Sequence, residues 1–505
     1  MRESGKGDAL AAAPAVSRLP TLAGLALVAA GAITALLTLA AMALAPLVDL
    51  DGYRPRVQAA ASRTLAMDVT IEGPLRVAFT PGLHLSLDKV RIRHRGSEVL
   101  FAERADVAVD LLPLLQRRLH YDRITLDRAR VSIERGKDGR YNVQKPAGEA
   151  TAFAAMDLPR LAIPVLAIDY ADRLTGDAFQ SADCKAELTN LRHPGGAPFL
   201  TRLSVAGRLD CGELRGREST LTDLRLTLAA TDGVYDFKPV TMRAFGGEGS
   251  GSLRMDRTAA VPVLRLEFAL SRFRIGDFFR GLPPGKSVSG AMDFATALEL
   301  RGHTRAELRR SATGTMSLSG TDLRLDGADL DEQLADFEAS QAFNLADMTA
   351  FFLAGPIGVA VTKGYQFAGL AQAKGGHTPI RRVVSRWKVD HGVARAVDVA
   401  LATGTHRLAL RGGLDFVDEE FDEVFVSLVG ADGCARARQR IRGPFAKPVV
   451  EKPDVLVSAA GPVLALIAKA RSLLPGKAAA CEVVYAGAVA PPAGEGRGAS
   501  ASARP

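Results

Sequence analysis

From residue 69 onward the chain alternates apolar and polar residues, one for one, in run after run. Val69 and Ile71 alternate with Thr70 and Glu72, and Leu83, Leu85 and Leu87 with His84, Ser86 and Asp88. Val107, Val109 and Leu111 face away from Asp106 and Asp110. Leu203, Val205 and Leu209 oppose Arg202, Ser204 and Arg208, and Leu224, Leu226 and Leu228 oppose Arg225 and Thr227. Leu264, Leu266, Phe268 and Leu270 oppose Arg265 and Glu267. Val397, Val399 and Leu401 repeat the pattern, as do Leu408 and Leu410 against Arg407 and Arg411. Successive side chains of a strand point to opposite faces, so each run predicts a strand with one apolar and one wet face. Such strands belong to antiparallel sheets; parallel sheets, Rossmann folds and α/β barrels are disfavoured. After Leu87 the phase slips by one at Lys89 before Val90 and Ile92 carry it on, as a β-bulge would cause. Asp138-Gly139, Asp232-Gly233 and Asp432-Gly433 mark turns.

Helices are few. The sequence predicts them over 53–66, one short turn over 111–118, a longer one over 329–353 and another over 457–473. Four helices cannot cover roughly 20 strands of this kind. Either sheets pack face to face as sandwiches, or one long sheet curls and turns its apolar face inward as a groove.

One segment breaks the pattern. From Leu19 to Val48 no residue is charged. As a helix, Thr21–Val48 would be about 42 Å long, enough to span a hydrocarbon core of about 30 Å with tilt. Arg2, Lys6 and Arg18 precede it and Asp49 and Asp51 follow, which leaves the short N-terminal tail in the cytoplasm and the body on the other side. A cleaved signal peptide is the alternative, with Ala41-Met42-Ala43 as its site, but the apolar run outlasts a signal's core. Met348–Thr362 and Val455–Ala468 are uncharged too, yet too short to span, and both contain Gly-Pro. They read as buried or interfacial helices. The expected organisation is a cytoplasmic tail (1–20), an anchor (21–48), three β-rich regions (49–150, 151–300 and 301–488) and a low-complexity tail (489–505).

Chemistry-bearing patterns are scarce. There is no G-x-S-x-G and no H-E-x-x-H, and no two of the eight histidines lie within four residues of each other, so local metal-ligand spacing is lacking. Gly281 to Ser287 resembles a phosphate-binding loop but is one residue short, and its two prolines remove N–H donors that such a loop needs. Gly246 to Gly251 reads as a turn between strands. These observations predict no enzyme, no catalytic residues, no metal and no cofactor. The net charge is +8, but Arg alternates with Asp and Glu along strands instead of clustering, and no recognition-helix spacing appears, so nucleic acid is not an expected partner. The four cysteines form no C-x-x-C. Cys184 and Cys211 lie on two strand-like runs where pairing is easy, which leaves Cys434 with Cys481. Two disulfides suit an oxidising compartment beyond an anchor; four buried thiols are the other reading.

The order of the motifs resembles one family nearly end to end. The anchor is followed by VDLDGYRPRVQAAASRTL, VTIEGPLRV, LHLSLDKVRI and VAVDLLPLLQRRLHYDRITLDRARVSI, then Gly139-Arg140-Tyr141-Asn142. Further on come RGHTRAELRRSATGTMSLSGTDLRL, LAGPIGVAVTKG, WKVDHGVARAVDVALATGTHRLALRGGLDF, GCARARQRIRGPFAKP and a terminal run from Cys481 to Gly487. In this order they resemble the AsmA family of bacterial envelope proteins. Two departures stand out: Val143 replaces a Trp of the family's turn, and Ala66-Met67 replaces a Gly-Arg. The resemblance implies an inner-membrane protein with one N-terminal span and a periplasmic body. It also implies a curled antiparallel sheet that binds phospholipid acyl chains and works with envelope protein partners in outer-membrane biogenesis. It places a cysteine pair at Cys434 and Cys481 and carries no catalytic residues. On this reading the lining comprises Leu83, Leu85, Leu87, Val107, Val109, Leu203, Val205, Leu224, Leu226, Leu228, Leu264, Leu266, Phe268, Val397, Val399, Leu408 and Leu410. The competing reading is an anchored scaffold with closed sandwich cores.

Overall fold

The computed structural model describes residues 52, 54–65, 67–78, 83–109, 121–142, 155–195, 199–217, 219–278, 285–340, 375–452, 454–455 and 481–492. The expected anchor at 21–48, the turn at 111–118, the helix at 457–473 and nearly all of the tail lie outside them. So do Met348–Thr362 and most of Val455–Ala468. Among the described residues no helix is long and apolar enough to cross a membrane.

The described chain is mainly β: 22 strands form one large, unclosed, mostly antiparallel sheet. The described residues fall into two compact units, those within 1–240, 254–263 and 301–308 in one and those within 241–253, 264–300 and 309–505 in the other. The first strands are β1 (Asp68–Ile71), β2 (Leu75–Ala78), β3 (Leu83–His94), β4 (Ser97–Val109), β5 (Tyr121–Arg135) and β6 (Met156–Asp172). Then come β7 (Ala178–His193), β8 (Ser204–Gly216), β9 (Thr220–Thr231), β10 (Val234–Ala244), β11 (Gly247–Asp256) and β12 (Val263–Arg274). They are followed by β13 (Ser287–Ser289), β14 (Ala291–Arg301), β15 (Thr313–Asp326), β16 (His377–Asp390) and β17 (Val393–Ala402). The last are β18 (Arg407–Asp415), β19 (Glu420–Val429), β20 (Ala435–Pro444), β21 (Val449–Val450) and β22 (Asp454–Val455). The described helices are α1 (Arg54–Leu65), α2 (Ile275–Phe278), α3 (Arg305–Ser311) and α4 (Leu330–Ser340). α1 matches the helix expected at 53–66, and α4 is the described part of the one expected at 329–353.

One pairing departs from the antiparallel expectation: β5 and β6 run parallel. A parallel pair needs a crossover, because a short turn always reverses the chain. Residues 136–155 link the two strands, and a buried ion pair joins the C-terminal ends of β5 and β6. Arg135 donates to Asp172 at 3.0 Å, both side chains almost fully enclosed, and its Nε donates to the Gly139 carbonyl. Burial opposes the charge on Asp172, but the Arg135 hydrogen bond and the amides of Leu174 and Thr175 outweigh it and lower the carboxyl's pKa.

Within the first unit, register lines the apolar residues up in rows across the strands. One row runs Leu85, Val107, Ile124, Leu161, Leu188, Gly207, Leu228 from β3 to β9. A second runs Val90, Ala102, Ala129, Leu166, Cys184, Cys211, Leu224. From β3 to β6 the two rows differ in residue parity, so each of these strands must change phase between them; from β7 to β9 they share it. β3 does so at Asp88-Lys89, β4 at Glu103-Arg104 and β5 at Asp127-Arg128, with two consecutive residues turned to the wet side in each. Lys89 (φ 56°) and Arg128 (φ 46°) take the left-handed conformation. The bulge expected at Lys89 is therefore corrected. Register with β4 is the same on both sides of it, because the neighbours slip together. True register shifts occur between β6 and β7, at Ile163/Leu166 and Leu166/Asp169. Beyond them the crease resumes at Ala182-Asp183, Gly212-Glu213 and Thr222-Asp223, with Asp183 (φ 55°) and Asp223 (φ 54°) left-handed.

The second unit repeats the device at Ser271-Arg272, Thr321-Asp322 and Arg381-Arg382. Its apolar row runs Met292, Gly320, Val383, Leu401, Leu408, Leu428, Ala437 across β14 to β20. Here the opposite face is buried as well: Val384, Ala400, Ala402, Ala409 and Val429 pack under Val484, Tyr485 and Val489. Small alanines at the alternate positions let this strap lie close. Arg407 donates to the carbonyls of Val489 and Gly430. Tyr485 donates to Asp398 at 2.6 Å.

Candidate functional site

The strand faces differ sharply in chemistry. On the wet side, charges form ladders: Arg76 and Arg104 flank Asp88, Arg91 bridges Glu72 and Glu98, and Arg128 meets Glu103. Exposed pairs of this kind contribute about 0–1 kcal/mol each; their larger effect is to keep that face in water. On the other side no charge interrupts the rows.

Burial along this apolar face is uneven. In the first unit, Leu85, Leu87, Val107, Ile124, Leu126 and Leu161 are buried. From β7 to β9 the same rows continue through Leu188, Leu209, Leu224, Leu226 and Leu228, all only half-buried. Leu214 and Leu221, across the crease, are half-buried too. In the second unit Met242, Leu253, Leu266, Phe268, Leu298 and Met316 are half-buried. An apolar surface in ordered rows that no described element covers is suited to bind another apolar surface. It offers neither proton donors nor nucleophiles.

The residues expected as lining fall into four groups. Leu85, Leu87, Val107, Leu203, Val205, Leu264, Val399, Leu408 and Leu410 are buried. Leu224, Leu226, Leu228, Leu266 and Phe268 are the half-open ones. Leu83 and Val109 are register partners on β3 and β4. Val397 is not lining: it is 68% exposed. It stands at a register shift between β16 and β17, where Ala396 pairs with Trp387 and Asp398 with Arg386. The extra residue breaks the two-residue period and turns Val397 to the wet side. Leu188, Leu214, Leu221 and Leu253 were not singled out from the sequence. In β7 the slip at Ala182-Asp183 hides the period, and in β11 three glycines dilute it.

Cys184 and Cys211 are bonded, directly opposite in the β7–β8 register and 3.9 Å apart at Cα. Both are buried and belong to the apolar row itself. Cys434 and Cys481 are also bonded, 5.7 Å apart at Cα, and fasten the strap of residues 481–492 to the turn after β19. Asp432 lies beside this second pair, but both sulfurs are committed to the disulfide and leave no thiolate for a metal.

The groups with displaced pKa values hold structure together. Burial pushes the Asp331 carboxyl up, but hydrogen bonds from His406, Thr403 and Thr405 prevail and bring it to about 2. It clasps the first turn of α4 to the β17–β18 turn, with His406 Nδ1 at 3.0 Å and the Gly404 amide at 3.2 Å. Burial, then the Asp398 hydrogen bond, push the Tyr485 hydroxyl up to about 12. Neither group faces the half-open rows. With one large unclosed sheet, rows of half-buried leucine and no reactive constellation among the described residues, the family comparison is decisive. The AsmA family pattern matches residues 23–153 and 206–398. This chain belongs to the AsmA family. The family is linked to the bacterial envelope. As an AsmA-family member the chain has its matched spans end within β17, so the strap and the Cys434–Cys481 pair lie beyond them. No curated protein matches the chain.

Proposed function

We propose that this AsmA-family protein binds phospholipid acyl chains along the apolar face of its sheet and conducts them between membranes of the envelope. The observation that carries this reading is the half-open state of Leu224, Leu226 and Leu228 on β9, whose other face carries Asp223, Arg225 and Thr227. A 16-carbon chain in water forfeits about 0.8 kcal/mol per methylene, or roughly 13 kcal/mol in all. Continuous rows of leucine offset that cost step by step, while a headgroup stays in water beyond the strand ends. The rows contain no placed polar group that would select among headgroups. A trough requires strands that bend toward their apolar side, and the creases shared by neighbouring strands supply the place for such a bend. On this reading residues 21–48 anchor the chain in the inner membrane, the body lies in the periplasm, and the two disulfides form there. No chemistry is performed and nucleic acid is not a partner; envelope proteins at either end would complete the path.

The test is to purify the full-length chain in nanodiscs, release it from them, and count phospholipid per chain after solvent extraction. The expected result is bound phospholipid of mixed headgroup, lost on Leu226→Asp. A lipid-free chain that is stable and monomeric would sink the carrier reading. One observation favours a second reading, an anchored scaffold: β17, β18 and β19 each carry a run of residues buried on both faces, as a closed protein core does. That reading expects no lipid and a protein partner on the wet face.

A further inference from the structure

Two of the glycines in β11 have backbone angles open to any residue, since neither Gly249 nor Gly251 is left-handed. Glycine within a strand costs stability relative to a residue with a side chain, so conformation does not account for them. Space does. A Cβ on Gly249 would stand 3.0 Å from Cζ and 3.4 Å from Cε2 of Phe268, and 3.0 Å from Cγ of Met242. One on Gly251 would stand 3.1 Å from Cδ2 of the same ring and would strike the Glu267 carbonyl. The Phe268 ring therefore lies down across the glycine backbone of the neighbouring strand instead of standing up from the sheet. It is half-buried, with ring atoms resting against both glycines. The first unit holds an aliphatic version, with Leu188 Cδ2 placed 2.7 Å from where a Cβ on Gly207 would be.

We infer that Gly249 is a positioning residue for the acyl-chain path: it seats the Phe268 ring flat, so that the ring forms floor and not obstacle. The inference rests on the acyl-chain reading above. A phenyl ring standing up from a strand is several ångströms tall, comparable to the width of an acyl chain. Seated, it offers a flat apolar surface to a passing chain. A branched side chain at position 249 would take the seat and tip the ring upward into the path. The ligand class is a phospholipid acyl chain, and the effect is steric, so it should not depend on headgroup.

The experiment uses the full-length chain loaded with a phospholipid carrying a photoreactive diazirine on one acyl chain, followed by mapping of labelled peptides. In the wild type, peptides of β9 (Leu224 to Leu228) and of β10–β12 (Met242, Phe268) should both be labelled. Gly249→Val should cut labelling of β10–β12 at least roughly tenfold, equivalent to about 1.4 kcal/mol, while β9 labelling stays. The double variant Gly249→Val with Phe268→Ala should restore it, because the ring is then gone. Undiminished labelling in Gly249→Val would overturn the inference. So would a folded double variant that stays unlabelled at β10–β12. If Gly249→Val does not fold, the smaller Gly249→Ala and Phe268→Trp take its place and must show a partial, local loss. No labelling of the wild type anywhere is a different outcome: it removes the acyl-chain reading itself.

Discussion

At Lys89 the chain adopts φ 56° in mid-strand, a region that costs an ordinary L-residue about 1–2 kcal/mol. The cost is tolerated because the slip it makes keeps Leu87 and Val90 on one face. Lys89→Val should destabilise by about 1–2 kcal/mol, whereas Lys89→Asn and Lys89→Gly should stay within about 0.5 kcal/mol of wild type; urea denaturation measures both. Asp398 accepts from the Tyr485 hydroxyl at 2.6 Å and from the Ala488 amide at 3.2 Å. Asp398→Ala leaves both donors stranded and should cost about 1–3 kcal/mol, with faster hydrogen exchange at Ala488. For Asp331 the folded pKa, about 2, lies below the carboxyl's ordinary value of 3.8. A depressed carboxylate stabilises above its unfolded pKa, and that contribution is lost as pH falls through the folded value. Amide protection in α4 should therefore fade between pH 4 and 2, and Asp331→Asn should show weak protection throughout that range. The alternation made the apolar face of most strands readable in advance. Val397 misled because a one-residue register shift in β17 has no signature in its own side chains.

The element that the sequence pattern concealed is the strap at 481–492. It has no period, yet it encloses the outer face of β16 to β18 through Val484, Tyr485 and Val489. Its cysteine closes a loop spanning 47 residues of sequence, a constraint worth about 4 kcal/mol by chain entropy. Replacing both Cys434 and Cys481 with Ser should lower stability by roughly that amount, as should dithiothreitol during denaturation. The strap should nonetheless stay docked, held by Arg407 to the Val489 carbonyl and by the Cys434–Val483 bridge. Undocking of the strap in that variant, seen as loss of amide protection at Val484 and Val489, would contradict this division. The parallel β5–β6 pair was equally hidden. Both strands carry ordinary alternation, and parallel or antiparallel pairing is decided by the crossover at 136–155, not by either strand.

For the molecule as a whole, the decisive contrast is between a face that is open and one that is closed. Leu226 is half-buried, whereas Leu408 is fully enclosed at 0% exposure. Leu226→Asp should keep a melting transition near that of wild type while removing bound phospholipid. Leu408→Asp should unfold its unit, since an isolated buried carboxylate has no partner there. Equal collapse in both variants, followed by circular dichroism, would favour closed cores throughout. The sequence by itself determined strands with one apolar face, because the two-residue period is a local property of the strand. It determined the cysteine partners in part, through their places on those strands, and the family, through the order of its motifs. Tertiary structure decided which stretches of that apolar face are covered and which are open. It also decided where creases carry the rows across strands, and that a strap closes the far side of β16 to β18. Those outcomes depend on register and on contacts between residues far apart in the chain, and alternation within a single strand contains no information about either.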